Sequence, residues 1–167
     1  MKTKTLFSIA AVLLVGFFIS CNKNAERVPV QIRLTDNPTE LEAVNIHIKG
    51  MEVKVNNESW IRINSKDTII NLLDLRNGVT EVIAQDEIPD GVLKEIRFIL
   101  DTDNTVVADG TTYPLETPSA AASGLKIKID KRLQQTLNTF VLDFDAALSV
   151  KQEPGGYKLY PVIKLLP

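Results

Sequence analysis

The residues of this chain best suited to chemistry are two pairs of aspartates, one histidine and one cysteine. Asp143 and Asp145 flank Phe144, and residues two apart in an extended strand share a face. Both carboxylates therefore project together while the phenyl ring points the other way. Two like charges held close raise a carboxyl pKa or attract a cation. Asp101 and Asp103 repeat the spacing. Four such carboxylates with added carbonyls would satisfy the roughly six to eight oxygen ligands of a calcium ion. Calcium is the one cofactor the residue types suggest. The plainer expectation is a wet strand face on which Asp143 and Asp145 pair with Lys126, Lys128 or Arg97. Asp101-Thr102-Asp103-Asn104-Thr105 opens like an EF-hand loop, but Val106 stands where the glycine is needed and Thr112 where the glutamate belongs. That segment is expected to be a simple Asp/Asn turn.

His47 is the single imidazole. Alternation places it on the solvent face of its strand between Asn45 and Lys49, and no Gly-x-Ser-x-Gly elbow exists to supply a nucleophile. No pair of acids is selected by spacing for glycoside hydrolysis. No glycine-rich phosphate loop or Walker lysine occurs. One Cys and one His are too few for a zinc finger, and a lone thiol forms no internal disulfide. The formal charge of −2 leaves no basic footprint for nucleic acid. The residues therefore predict no enzyme. Trp60 and Tyr113 could line a sugar-binding surface, with burial in the core as the default. Asp67-Thr68-Ile69 fits a short bacterial O-glycosylation pattern, with Thr68 as acceptor.

Cys21 has a different chemistry. Lys2 and Lys4 form a positive start, Leu6 to Ile19 are apolar except for Ser8 and Gly16, and Phe18-Ile19-Ser20-Cys21 resembles a bacterial lipobox. The apolar run is shorter than the roughly 20 residues that span a bilayer, and suits a cleaved signal. Cutting before Cys21 would leave its sulfur to carry diacylglycerol and its new amino group a palmitate-type chain. Each buried CH₂ adds about 0.8 kcal/mol of membrane affinity, so several chains anchor firmly. The expected division is 1–20 signal peptide, 21–27 lipidated N-terminus and tether, and 28–167 a single domain. Asn22 rather than Asp after the cysteine favours the outer membrane, and Asn22–Arg27 lacks an acidic export cluster, which favours the periplasmic leaflet. Losing Lys2 and Lys4 takes the formal charge from −2 to −4.

The elements that must position these groups read as strands. Val28, Val30, Ile32 and Leu34 alternate with polar neighbours or proline, as do Val44, Ile46 and Ile48, and Leu125, Ile127 and Ile129; Phe140, Leu142 and Phe144 alternate with Val141, Asp143 and Asp145. The apolar phase flips from even to odd numbers at Gly50, which predicts a β-bulge there. Further strands are expected at Trp60–Ile63, Thr68–Leu72, Lys94–Leu100, Val106–Ala108 and Tyr157–Leu165, with a short helical turn within Leu73–Gln85. Thr117–Gly124 reads as a loop. The pattern predicts an all-β fold, an antiparallel β-sandwich of about 7–9 strands. A chain of 167 residues is long enough to bury such a core without disulfides.

The order of short motifs adds a resemblance. Thr35-Asp36-Asn37-Pro38, Glu42-Ala43-Val44-Asn45-Ile46, Asn71-Leu72-Leu73-Asp74-Leu75, Ile88-Pro89-Asp90-Gly91, Tyr113-Pro114-Leu115, Leu142-Asp143-Phe144-Asp145 and Tyr160-Pro161-Val162-Ile163 together resemble the domain-of-unknown-function family 4382, found in envelope lipoproteins and secreted proteins. The resemblance covers about residues 28–166. It implies a sandwich of immunoglobulin-like or prealbumin-like character and supplies no activity and no catalytic residues. The reading that follows is a non-enzymatic envelope lipoprotein, a lipid-tethered sandwich that binds a partner protein or glycan. The alternatives are a subunit of a surface fibre or a calcium-stabilised carbohydrate-binding module.

Overall fold

The computed structural model describes residues 26–37, 39–118 and 124–167. The expected signal peptide and the expected lipidation site Cys21 lie outside the described residues. Thirteen strands are present among those described: β1 (Arg27–Thr35), β2 (Ala43–Val55), β3 (Ile61–Ile63), β4 (Thr68–Asn71), β5 (Glu81–Pro89), β6 (Val92–Leu100), β7 (Thr105–Ala108), β8 (Thr111–Glu116), β9 (Leu125–Arg132), β10 (Asn138–Phe144), β11 (Val150–Glu153), β12 (Gly156–Leu159) and β13 (Ile163–Leu165). A 3-10 turn, Leu72–Leu75, follows β4, and its first turn is capped by the Asn71 side chain, which accepts from the Leu73 amide. One helical turn, α1 (Ala146–Ser149), separates β10 from β11. Among the described residues no helix is long and apolar enough to cross a membrane.

The strands form two sheets. The smaller has the order β13-β10-β1-β5, and the larger runs β11-β12-β8-β7-β2-β6-β9 with β3 and β4 also paired to β2. The expected sandwich is present, with more and shorter strands than its alternation suggested. Most pairings are antiparallel as expected, but β1 runs parallel to β10 and β12 parallel to β8. Val28, Val30, Ile32 and Leu34 of β1 are all buried, as are Val44, Ile46 and Ile48 of β2. Period two thus places one row of side chains in the core of each sheet. The two layers meet at Phe98 of β6 and Phe144 of β10, whose rings pack edge to face with centroids 6.5 Å apart. A second seam joins the sheets where Ser65 bridges to Ala84 and the Gln85 amide donates to the Asn64 carbonyl.

Gly50 does what the phase flip predicts. The β2–β6 register shifts between Ile48 and Gly50, and Met51, Val53 and Val55 then point inward. The Arg62 guanidinium occupies the space a Cβ would need at Gly50 and donates to the Lys49 carbonyl at 3.2 Å. Gly124 faces a harder constraint. Its φ is +67°, and a Cβ there would lie 2.8 Å from the Phe98 carbonyl oxygen and 2.8 Å from Arg97 Cδ. Gly124→Ala is therefore expected to cost about 2 kcal/mol, through strained backbone and a clash the backbone cannot relieve. Urea unfolding of the variant checks this, since the milder Gly78→Ala, at a φ of +83° with nothing within 4 Å, supplies the conformational part alone.

Two segments depart from expectation for identifiable reasons. Tyr157–Leu165 is not one strand: β12 joins the larger sheet and β13 the smaller, and the chain crosses between them at Pro161, which has no amide to give a ladder. β5 breaks alternation because Ile83 is the extra residue of a bulge opposite Ile32 and Arg33, so Ile83 and Ala84 are both buried.

Candidate functional site

Two polar clusters and one aromatic group stand out. The first lies at the end of β1. Asp36 closes that strand: its amide donates to the Leu75 carbonyl, and its Oδ1 accepts from the Ala146 amide at 2.9 Å. Asn37 follows and places its Nδ2 at 2.7 Å from Asp143 Oδ2 and 3.4 Å from Asp145 Oδ2. Asp145 caps α1, accepting from the Leu148 amide at 2.9 Å. Asp36, Asp143 and Asp145 are all buried, at 4%, 5% and 6% exposure. This corrects the wet-face expectation for Asp143 and Asp145. β10 is an inner strand of its sheet, between β1 and β13, and both acids are held by Asn37 rather than by Lys126, Lys128 or Arg97.

The electrostatics of this junction are unbalanced. Burial, together with the nearby Asp143 and Asp145 charges, pushes the Asp36 carboxyl up to about 6, against the bonds from Ala146 and Asn37 that pull it down. Burial also raises Asp143, with Lys164 and Asn37 acting in the opposite sense. Two carboxylate oxygens, Asp36 Oδ2 and Asp143 Oδ1, are buried and have no hydrogen-bond donor. A buried acceptor left unsatisfied costs about 1–3 kcal/mol, and more when charged.

The second cluster sits on the solvent side of β2. His47 Nδ1 lies 2.6 Å from Asp103 Oδ1, and Nε2 lies 2.8 Å from Asp67 Oδ1. Both contacts raise the imidazole pKa, the Asp67 bond most. A carboxylate at each nitrogen favours the doubly protonated ring, in which both nitrogens donate. Lys49, two residues along the same face, pairs with Asp101 at 2.7 Å, which raises the lysine and lowers the aspartate. The turn carrying Asp101 and Asp103 is pinned by Asn104, which is buried. Its Oδ1 accepts from the His47 amide at 2.8 Å and its Nδ2 donates to the Asp101 carbonyl at 2.7 Å. Among the described residues, His47, Asp101 and Asp103 are the group whose ligand-type atoms all lie within 4.8 Å of one another.

The expected calcium quartet is therefore not one site. Asp101 and Asp103 gather around His47 and Lys49, while Asp143 and Asp145 gather with Asp36 and Asn37. Thr68 opens β4 and is half-buried, beside exposed Asp67 and Ile69. Sequence reasoning missed Asp36, Asn37, Asp67 and Lys49 as partners. Their separations along the chain are large, and period two had marked only which residues of each strand share a face.

The aromatic group also departs from expectation. Tyr113 is exposed rather than in the core, although it shares a face with buried Leu115. Its ring packs on Tyr157 with centroids 5.1 Å apart. Exposed Tyr160 follows three residues later and donates to Glu153 at 3.0 Å, and Lys158 pairs with the same glutamate at 3.0 Å. β8 and β12 bring two of the three tyrosines, Tyr113 and Tyr157, together in the rows of buried Leu115 and Leu159, whereas Lys158, the partner of Glu153, belongs to the opposite row of β12. Trp60 is half-buried, with the Arg97 guanidinium 4.3 Å above its ring.

Residues 27–161 match the model of a family described as a domain of unknown function (DUF4382). No curated protein and no solved structure matches the chain.

Proposed function

Because the chain belongs to the DUF4382 family, whose description carries no activity, we propose its role from its own residues: a non-enzymatic, lipid-tethered binding module of the cell envelope. The lipobox ending in Cys21, after a positive start and an apolar run, supports a tether to the outer membrane facing the periplasm. The observation that carries the binding role is the pair of packed tyrosines, Tyr113 and Tyr157. Tyr113 keeps 37% of its surface in water, with its ring packed on half-buried Tyr157 of the neighbouring strand. Tyrosine offers a broad apolar face with a hydroxyl at its tip, and few rotatable bonds to freeze on contact. Sugar rings and peptide segments both suit such a shelf.

A fibre subunit is the second reading, favoured by the placement of β1. This strand fills the slot between β5 and β10, so its removal after proteolysis near Arg27 would leave a groove that a neighbour's strand could occupy.

One experiment separates these readings. The protein is expressed in its native cells as wild type, Cys21→Ala, and a Tyr113→Ala/Tyr157→Ala double variant, then crosslinked before lysis. The expected result is membrane-bound wild type joined to one abundant envelope component. Cys21→Ala should leave the membrane fraction, and the double variant should stay tethered but lose at least nine-tenths of the crosslink. Ladders of the chain itself would replace the binding reading with the fibre. A hydrolytic activity abolished by a single carboxylate substitution would overturn both.

A further inference from the structure

We propose that the junction of Asp36, Asn37, Asp143 and Asp145 is a calcium site that locks the end of β1 to β10 and α1. Two independent features point to a ligand there. Three carboxylates meet in a nearly dry place, and two of their oxygens, Asp36 Oδ2 and Asp143 Oδ1, are buried with nothing donating to them. Buried polar atoms in folded proteins are almost always satisfied, so such orphans mark the place of a bound ion or water. Asn37 already performs part of a cation's work. Its amide group sits between Asp143 Oδ2 and Asp145 Oδ2 and offers them positive hydrogens.

The donor set selects the ion. Every available group is an oxygen, three of them carboxylates, and rotation of the Asn37 amide by half a turn would present its carbonyl oxygen inward as a fourth. All-oxygen sets with several carboxylates suit hard divalent cations, and calcium tolerates the irregular geometry that magnesium does not. The carboxylate oxygens of the three acids do not all lie within 4.8 Å of one another as those of the His47 group do, and the proposed binding requires them to move inward as Asn37 turns. A divalent ion would nearly neutralise the three acids, whose other charged neighbour is Lys164 of β13, opposite Asp143 in the register.

The His47 cluster is the poorer metal site although its atoms lie closer together. Both imidazole nitrogens are already engaged by carboxylates, and the Lys49 ammonium occupies Asp101. A metal there would have to break the imidazole–carboxylate contacts and displace one lysine. At the Asp36 junction it would satisfy atoms that otherwise have no partner.

The test uses the full chain in detergent micelles after chelation, with calcium chloride as the probe. Equilibrium dialysis should find one calcium ion per chain, and millimolar calcium should raise Tm by roughly 5 °C or more, since a ligand of the native state stabilises it. Equal magnesium should raise it far less. Asp143→Asn and Asp36→Asn should each lower affinity at least tenfold, while Asp101→Asn and Asp103→Asn leave it within twofold. No bound calcium, or binding lost only in the Asp101 and Asp103 variants, would overturn the proposal. Should either junction variant fail to fold, Asn37→Ala, whose side chain is exposed at the edge of the site, carries the same expected loss. The proposal stands apart from the tyrosine shelf, because calcium binding is read on the isolated chain without any partner.

Discussion

Phe98→Ala is expected to lower the free energy of unfolding by about 4 kcal/mol, with Phe144→Ala close behind, in the range found for deleting a fully buried phenyl group. Both rings have no exposed surface. Phe98 lies on β6, which pairs β2 on one side and β9 on the other, and Phe144 ends β10 just before α1. Each ring fills a space bounded by the opposite sheet, so truncation leaves a cavity that two stiff layers cannot close. The two rings touch edge to face, and such a pair adds about 0.5–1.5 kcal/mol beyond burial. The double variant should therefore lose less than the sum of the singles by about that amount. Urea titrations of all four proteins measure it. Unchanged slopes with shifted midpoints would locate the effect in the native state. Additive losses would mean that the sheets do not communicate through this contact.

Much of the frame that places those rings is legible in the sequence. β1, β2, β9 and β10 announce themselves by alternation, and the shift at Gly50 is readable from odd and even positions alone. β8 was not, because Thr111–Glu116 contains Pro114 and buries only Leu115. β5 was not, because its bulge breaks the period. For the acids the shortfall has another cause. Alternation tells which residues share a face but not what covers that face. Asp143 and Asp145 lie under cover of Asn37, more than a hundred positions earlier in the chain. The same holds for His47, whose two carboxylate partners come from separate loops. Contacts made by loops between distant segments have no periodic signature.

The second large effect is one of pH. Measured in chelator, so that no divalent ion intervenes, the stability of the protein should fall as pH rises from 4 to 6. Asp36 keeps its proton in the folded state up to about pH 6, while the unfolded chain releases it near the ordinary value of 3.8. Across that window the native state binds more protons than the unfolded state, and stability must decline with pH. The contribution of this group is whole below about pH 4 and gone above about pH 6. The groups facing it, Asp143 and Asp145 from β10 and its end, add charge of the same sign, and Lys164 of β13 opposes them at Asp143.

Asp36→Asn should remove most of that slope. It keeps an oxygen for the Ala146 amide but carries no charge, so at pH 7 in chelator the variant should be more stable than wild type by roughly 2 kcal/mol. Asp36→Ala should do the reverse, because it leaves the Ala146 amide buried without an acceptor, a loss of about 1–3 kcal/mol. Urea midpoints at pH 4, 5, 6 and 7 check both. A wild-type curve that is flat or rises across this range would show that Asp36 ionises freely in the fold.

The position of β1 carries a mechanical consequence. The strand begins at Arg27, a few residues after the cysteine, and is gripped by β5 from Arg27 to Leu34 on one side and by β10 from Val30 to Thr35 on the other. Tension arriving through the N-terminal segment would run along the axis of this strand, so the ladder bonds on both flanks would share the load in shear and not open one after another like a zip. The outermost strand β13, held by β10 alone, stands clear of that line of force. If the proposed tether holds, that is the direction from which the membrane would pull.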